Sequence, residues 1–152
     1  MKINELNEHD VTAFMSVIRR VQIFKLMTIG QIEKVLPYLQ LCLFEKNEVI
    51  CEQGKEGDAF YMIQKGEVEV SVKTGYVSFK KVVSKLGSHD FFGEISLFRN
   101  VRCTATVRCK KPSYIYVLSK QDFNYVLSVN PDFRADIERI VQDRKNVLKK
   151  YL

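Results

Sequence analysis

Gly93 and Glu94 stand shortly ahead of three arginines, Arg99, Arg102 and Arg108. That grouping suits an anion. A glycine lets the backbone approach a ligand closely. A short helical turn over residues 94–98 presents N–H groups without helical partners, which favour negative charge. An arginine fork fits phosphate oxygens. Glu94 is an odd neighbour for an anion, but a carboxylate accepts well from a sugar hydroxyl. Together these residues describe a site for a phosphorylated sugar. A turn beside a basic strand also has a purely structural reading, and on the residues alone both stand.

The elements that would position such a site fall into three zones of one α+β unit over residues 1–152. Residues 1–43 read as N-terminal helices. Val17, Val21 and Phe24 recur at helical spacing, and so do Ile32, Val35, Leu36 and Leu39. Thr28 is placed to cap the second run and Pro37 to end or bend it. Over residues 44–119 the period changes to two, most clearly in the polar–apolar alternation of 67–72. Residues 104–107 and 113–118 read as further strands, and Lys73, Thr74, Gly75 and Tyr76 as a hairpin tip. Glycines at 54, 57, 66, 75, 87 and 93 punctuate the zone, mostly where turns suit positive φ. The expectation is an antiparallel, jelly-roll-like β-roll.

Residues 120–152 read as a C-terminal helix pair. Ser119 or Asp122 caps a helix through Leu127, Asn130-Pro131 breaks it, and Pro131 suits the start of the next. In that last helix Phe133, Ile137, Ile140, Val141, Val147 and Leu148 share a face that Arg144 interrupts. Either the arginine stem packs while its head reaches water, or the head contacts a ligand from a movable helix.

Composition narrows the classes. The chain has 152 residues, 46% hydrophobic and 28% charged, enough for one domain with one core. The net charge of +6 favours acidic partners only weakly. Cys42, Cys51, Cys103 and Cys109 form no CxxC pair and sit among apolar neighbours, as buried thiols do in a reducing, cytoplasmic compartment. His9 and His89 lie far apart, which gives no support to zinc, and neither has an evident nucleophile beside it, which argues against an enzyme. No apolar run approaches the ~20 residues of a membrane helix, and the N-terminus is too polar for a signal peptide. A piece of a longer protein fits equally well.

The run Phe92-Gly93-Glu94-Ile95-Ser96-Leu97, followed by Arg102 and then Thr104-Ala105-Thr106-Val107, resembles the phosphate-binding cassette of cyclic-nucleotide-binding domains. That family includes protein kinase A regulatory subunits, cyclic-nucleotide-gated channels and catabolite-activator-type regulators. The strand-and-turn pattern of residues 54–63 and 65–68 is similar to it as well, and so is Asp122-Phe123 with the helices around Pro131. The resemblance implies a β-roll with hinge and lid helices. It implies that Gly93 and Glu94 meet the ribose, with Glu94 accepting from the 2′-hydroxyl, and that the amides of Ile95 and Ser96 face the cyclic phosphate. Thr104 matches a threonine that in the channels helps hold the phosphate and a guanine edge. Val83, with neighbours such as Val82, would line the base pocket. Arg144 matches a lid-helix arginine, and Val147 and Leu148 would close over the purine.

The chain departs from the pattern at one position above all. Many members carry their phosphate arginine directly before the residue matched by Thr104; here that residue is Cys103, and the arginine stands one place early, at Arg102. Arg102 shares a face with Thr104, Thr106 and Arg108 if the strand starts that early. His89 stands where a glycine is common, although histidine tolerates positive φ better than most residues. The resulting expectation is a non-catalytic regulatory module that binds cGMP or cAMP, needs no other cofactor, and signals to a downstream protein by moving its C-terminal helix. The alternative is an interaction or scaffold protein, such as a homodimer, that kept the fold and lost the nucleotide. DNA binding is disfavoured, because the sequence ends at Leu152 without a helix-turn-helix segment after the lid. The basic residues Arg144, Lys145, Lys149 and Lys150 read as a solvated helix end.

Overall fold

The computed structural model describes residues 2–4, 28–74 and 79–149, with the side chains of 2–4, 147 and 148 excepted. The helical spacing of Val17, Val21 and Phe24 and the tip at Gly75 and Tyr76 lie outside those residues.

Helix α1 (Ile29–Val35) starts where Thr28 was expected to cap it. The Thr28 hydroxyl accepts from Gln31 N and the Gln31 side chain accepts from Thr28 N, a reciprocal capping box. Pro37 diverts the chain into a 3₁₀ turn, Leu36–Tyr38, because it cannot continue the α-helical ladder. Strand β2 (Gln40–Phe44) follows at once, so the roll begins earlier than residue 44. It pairs with β9 (Ser113–Ser119), and on its other side with β1 (Lys2–Asn4). With β4 (Ala59–Lys65) and β7 (Phe91–Phe92) these make an antiparallel sheet in the order β1-β2-β9-β4-β7. The second antiparallel sheet runs β3-β8-β5-β6, from β3 (Val49–Cys51), β8 (Thr106–Cys109), β5 (Val68–Thr74) and β6 (Phe79–Leu86).

The apolar run in β4 is buried on both faces, and its alternation divides the protein into two cores. Phe60 and Met62 face the helices, in a cluster with Leu118, Phe123 and Ile137. Tyr61 and Ile63 face the second sheet, in a cluster with Val68, Phe92 and Val107. The second sheet contributes to both, Val72 of β5 to the first cluster and Val68 to the second.

Residues 104 and 105 are not in a strand; β8 starts at Thr106. The segment before it is held by the loop after β3. Gly54 N donates to Cys103 O (2.9 Å), Cys103 N donates to Lys55 O (2.8 Å), and Gln53 N donates to the Thr106 hydroxyl (3.0 Å). His89 has φ 76° in the turn ahead of β7, where its N–H donates to Ile63 O.

Ser119 caps α3 (Lys120–Val129) by accepting from Asp122 N. Buried Asn130 ends that helix, its side-chain amide donating to Val126 O (2.9 Å), and Pro131 opens α4 (Pro131–Lys149). Phe123 of α3 stacks on Phe60 at 5.2 Å between ring centroids and is fully buried. It fastens the helix pair to the first sheet. Phe123→Ala is expected to lower stability by about 3–5 kcal/mol, the usual cost of truncating a core phenylalanine. The check is a urea midpoint shift at unchanged m.

Candidate nucleotide-binding site

Gly93 and the helix it starts, α2 (Glu94–Arg99), form one wall of a cavity of about 260 Å³. Gly93 caps α2 in the left-handed region at φ 90°, and a Cβ there would stand 2.6 Å from Ala59 O. Only glycine allows α2 to start this close to β4. The helical turn expected over 94–98 is thus present and one residue longer. Gly57 makes a second close approach, because a Cβ on it would overlap the Ser96 side chain. Val83, Ser84 and Leu86 of β6, with Val70 of β5, supply an opposite, largely apolar wall.

Glu94 is 1% exposed. Its Oε1 accepts from Arg144 Nη1 at 2.7 Å, while its Oε2 has no hydrogen-bond partner. Burial pushes the carboxyl up, and the adjacent guanidinium opposes this with the smaller effect. Arg144 reaches Glu94 from α4. The same Nη1 donates to Phe91 O (2.8 Å), and the guanidinium lies over the Phe91 ring at 4.0 Å. Its head therefore lines the cavity.

Of the other residues singled out in the sequence, Ile95, Ser96, Cys103, Thr104 and Val83 line the cavity along with Gly93, Glu94 and Arg144. Val82, which pairs with Ser71 beyond the bulge in β6, is 47% exposed and does not. The side chains of Val147 and Leu148 lie outside the described residues. Arg102 does not line the cavity either. Its guanidinium donates to Gly54 O at 2.9 Å and is exposed, so the shared face expected for Arg102 and Thr104 is not formed. The physical reason is that residues 101–105 are a loop without strand alternation. Arg99 and Arg108 are also engaged elsewhere, with Gln142 and with Asn47 O. Among the described residues, Arg144 is the cavity's one lining cation, and Cys103 stands at the wall where an arginine was expected.

Sequence reasoning missed Cys51, which reaches the cavity from the end of β3 and interacts there with Cys103. That interaction, together with a contact from Ser96, outweighs burial and lowers the Cys103 thiol. The same interaction, burial and the nearby carboxylates push Cys51 up. No local signal announces this pair; the pairing of β3 with β8 creates it.

Residues 41–130 match the family model described as the cyclic nucleotide-binding domain. The chain belongs to that family. A cGMP-dependent protein kinase of Drosophila melanogaster is 29% identical over 136 residues, 87% of this chain and 15% of the kinase. The cyclic nucleotide-gated channel alpha-4 of Mus musculus is 30% identical over 134 residues, 84% of this chain and 23% of the channel. The chain spans about a third or less of the length of such curated relatives. Among solved structures, the regulatory domain of Toxoplasma gondii protein kinase A with cAMP superposes with a TM-score of 0.75 at 24% identity, covering 80% of this chain and 46% of that one. The likeness to solved structures shows the fold.

In this cyclic nucleotide-binding domain the Arg144–Glu94 pair ties α4 to the cassette. Arg144→Ala leaves a buried carboxylate without its cation. The expected cost is about 3 kcal/mol at neutral pH, the lower end for a broken buried pair because the arginine side chain is 31% exposed. Burial holds the Glu94 carboxyl of the folded variant above its unfolded value. The folded state therefore binds the proton more tightly, and stability falls as pH rises through the raised value. Urea melts of Arg144→Ala should show a deficit that shrinks in acid, and Glu94→Gln on that background should remove the pH dependence.

Proposed function

We propose that the chain is a non-catalytic regulatory module whose cavity takes a cyclic purine nucleotide and reports it through α4. The observation that carries this reading is the unpartnered Oε2 of a carboxylate buried in the cavity wall beside Gly93. Such an oxygen needs a donor, and a ribose 2′-hydroxyl supplies one. The first-turn amides of Ile95 and Ser96, with the Thr104 hydroxyl, are the groups for the cyclic phosphate. Val83 and Val70 offer apolar surface to the purine. A ligand seated there meets both α2 and Arg144 of α4, so its preference for one α4 position shifts the balance between positions. Thr104 and Arg144 make cGMP as good a candidate as cAMP, and the output is a downstream protein surface.

One observation favours a second reading, a ligand-independent interaction module. Cys103 stands in place of the phosphate cation and Arg102 turns outward. A charged hydrogen bond contributes about 1.5–3 kcal/mol, so its absence weakens nucleotide binding on the order of 10- to 150-fold.

Calorimetric titration with cAMP and cGMP, against linear 5′-AMP, separates the two. The sensor reading expects saturable binding of a cyclic nucleotide and none of the linear one, with Cys103→Arg tightening it on the order of 10- to 150-fold. No heat up to millimolar ligand for either protein would leave the interaction module as the function.

A further inference from the structure

Cys51 and Cys103 both line the cavity, and their thiols interact there. They come from different elements, β3 and the loop ahead of β8, which two backbone bonds between Cys103 and residues 54–55 draw together. Cys42 and Cys109 are 1% and 0% exposed, lie in the core between the sheets and do not line the cavity.

We infer that Cys51 and Cys103 are a peroxide-responsive thiol pair, with Cys103 the sulfur oxidised first and Cys51 the one that resolves it. The Cys103 thiolate attacks one oxygen of hydrogen peroxide, the O–O bond breaks, and a sulfenic acid forms while hydroxide leaves. Cys51 then attacks the Cys103 sulfur. The S–S bond forms, the S–O bond breaks, and the departing hydroxyl leaves as water with the Cys51 proton. The two thiols are oxidised by two electrons and the peroxide is reduced to two waters. The division of labour follows from the surroundings of the two thiols. Contacts from Cys51 and Ser96 hold the Cys103 thiol below the usual cysteine range, which raises its thiolate fraction at neutral pH. Cys51 is pushed the other way and keeps its proton until it attacks. Burial pushes Cys42 and Cys109 up, which leaves them inert.

A bridge here would pin the end of β3 to the loop that carries Thr104, beside Ser96. The oxidation state would then set the shape of this end of the cavity, whatever ligand the cavity takes. The inference does not rest on nucleotide binding, and its test reads the sulfurs directly.

The reduced full chain is treated with stoichiometric hydrogen peroxide, the remaining thiols are alkylated, and the peptides are mapped. The expected result is joint loss of label at Cys51 and Cys103, a linked peptide joining them that dithiothreitol releases, and retained label at Cys42 and Cys109. In Cys51→Ser, dimedone should trap a sulfenic acid at Cys103. In Cys103→Ser, oxidation of Cys51 should slow on the order of tenfold or more. Recovery of all four labelled thiols from the unmutated chain, a link through any other pair, or undiminished oxidation of Cys51 in Cys103→Ser overturns the inference. The mapping on the unmutated chain decides the matter even where a variant fails to fold.

Discussion

A carboxylate taken out of water costs several kcal/mol unless the protein supplies its partners, and Glu94 is 1% exposed with one of its two oxygens unpaired. The architecture around the cavity follows from keeping that group in place. Gly93 provides the left-handed cap that lets α2 begin against β4. Phe91 provides both a carbonyl and a ring on which the Arg144 guanidinium rests. Helix α4 then has to run back along the roll so that Arg144, in its latter half, can reach Glu94 from 50 residues away in sequence. The buried apolar stripe of Phe133, Ile137 and Val141 sets that path, and the ion pair fixes where it ends.

The cavity depends equally on the layered arrangement of the sheets. One strand, β4, sends alternate side chains into two cores, and the second sheet contributes to both, through Val72 and Val68. The cavity lies where the second sheet, α2 and α4 converge. Apolar residues of β5 and β6 form its sheet side, while the polar and chargeable groups come from the cassette and from α4. This is the distribution a ligand site needs, with broad apolar area and a few convergent polar atoms.

The charge of the site runs against simple expectation from composition. The chain carries a net +6, yet Arg99, Arg102 and Arg108 spend their donors on Gln142, Gly54 O and Asn47 O. Each fastens a loop or helix without lending its charge to the cavity. The wall residue next to Thr104 is a thiol in contact with a second thiol. That end of the cavity thus has sulfur chemistry where the family pattern has a guanidinium.

Much was legible in the residues themselves. The capping of α1 by Thr28, the break at Asn130-Pro131, the α2 turn after Gly93 and the two-residue period of the roll are local effects of backbone sterics and side-chain hydrogen bonding. They need no distant partner. The family cassette could be recognised because its order and spacing are local too. Tertiary structure decided the rest. Whether residues 102–105 alternate as a strand depended on bonds to the loop at 53–55, and those bonds turned Arg102 outward. Whether Arg144 snorkels or meets a carboxylate depended on where α4 crosses α2. Whether Cys51 matters depended on the register of β3 against β8. Each of these is a contact between segments far apart in the chain, and the geometry that makes it exists only once both cores have packed.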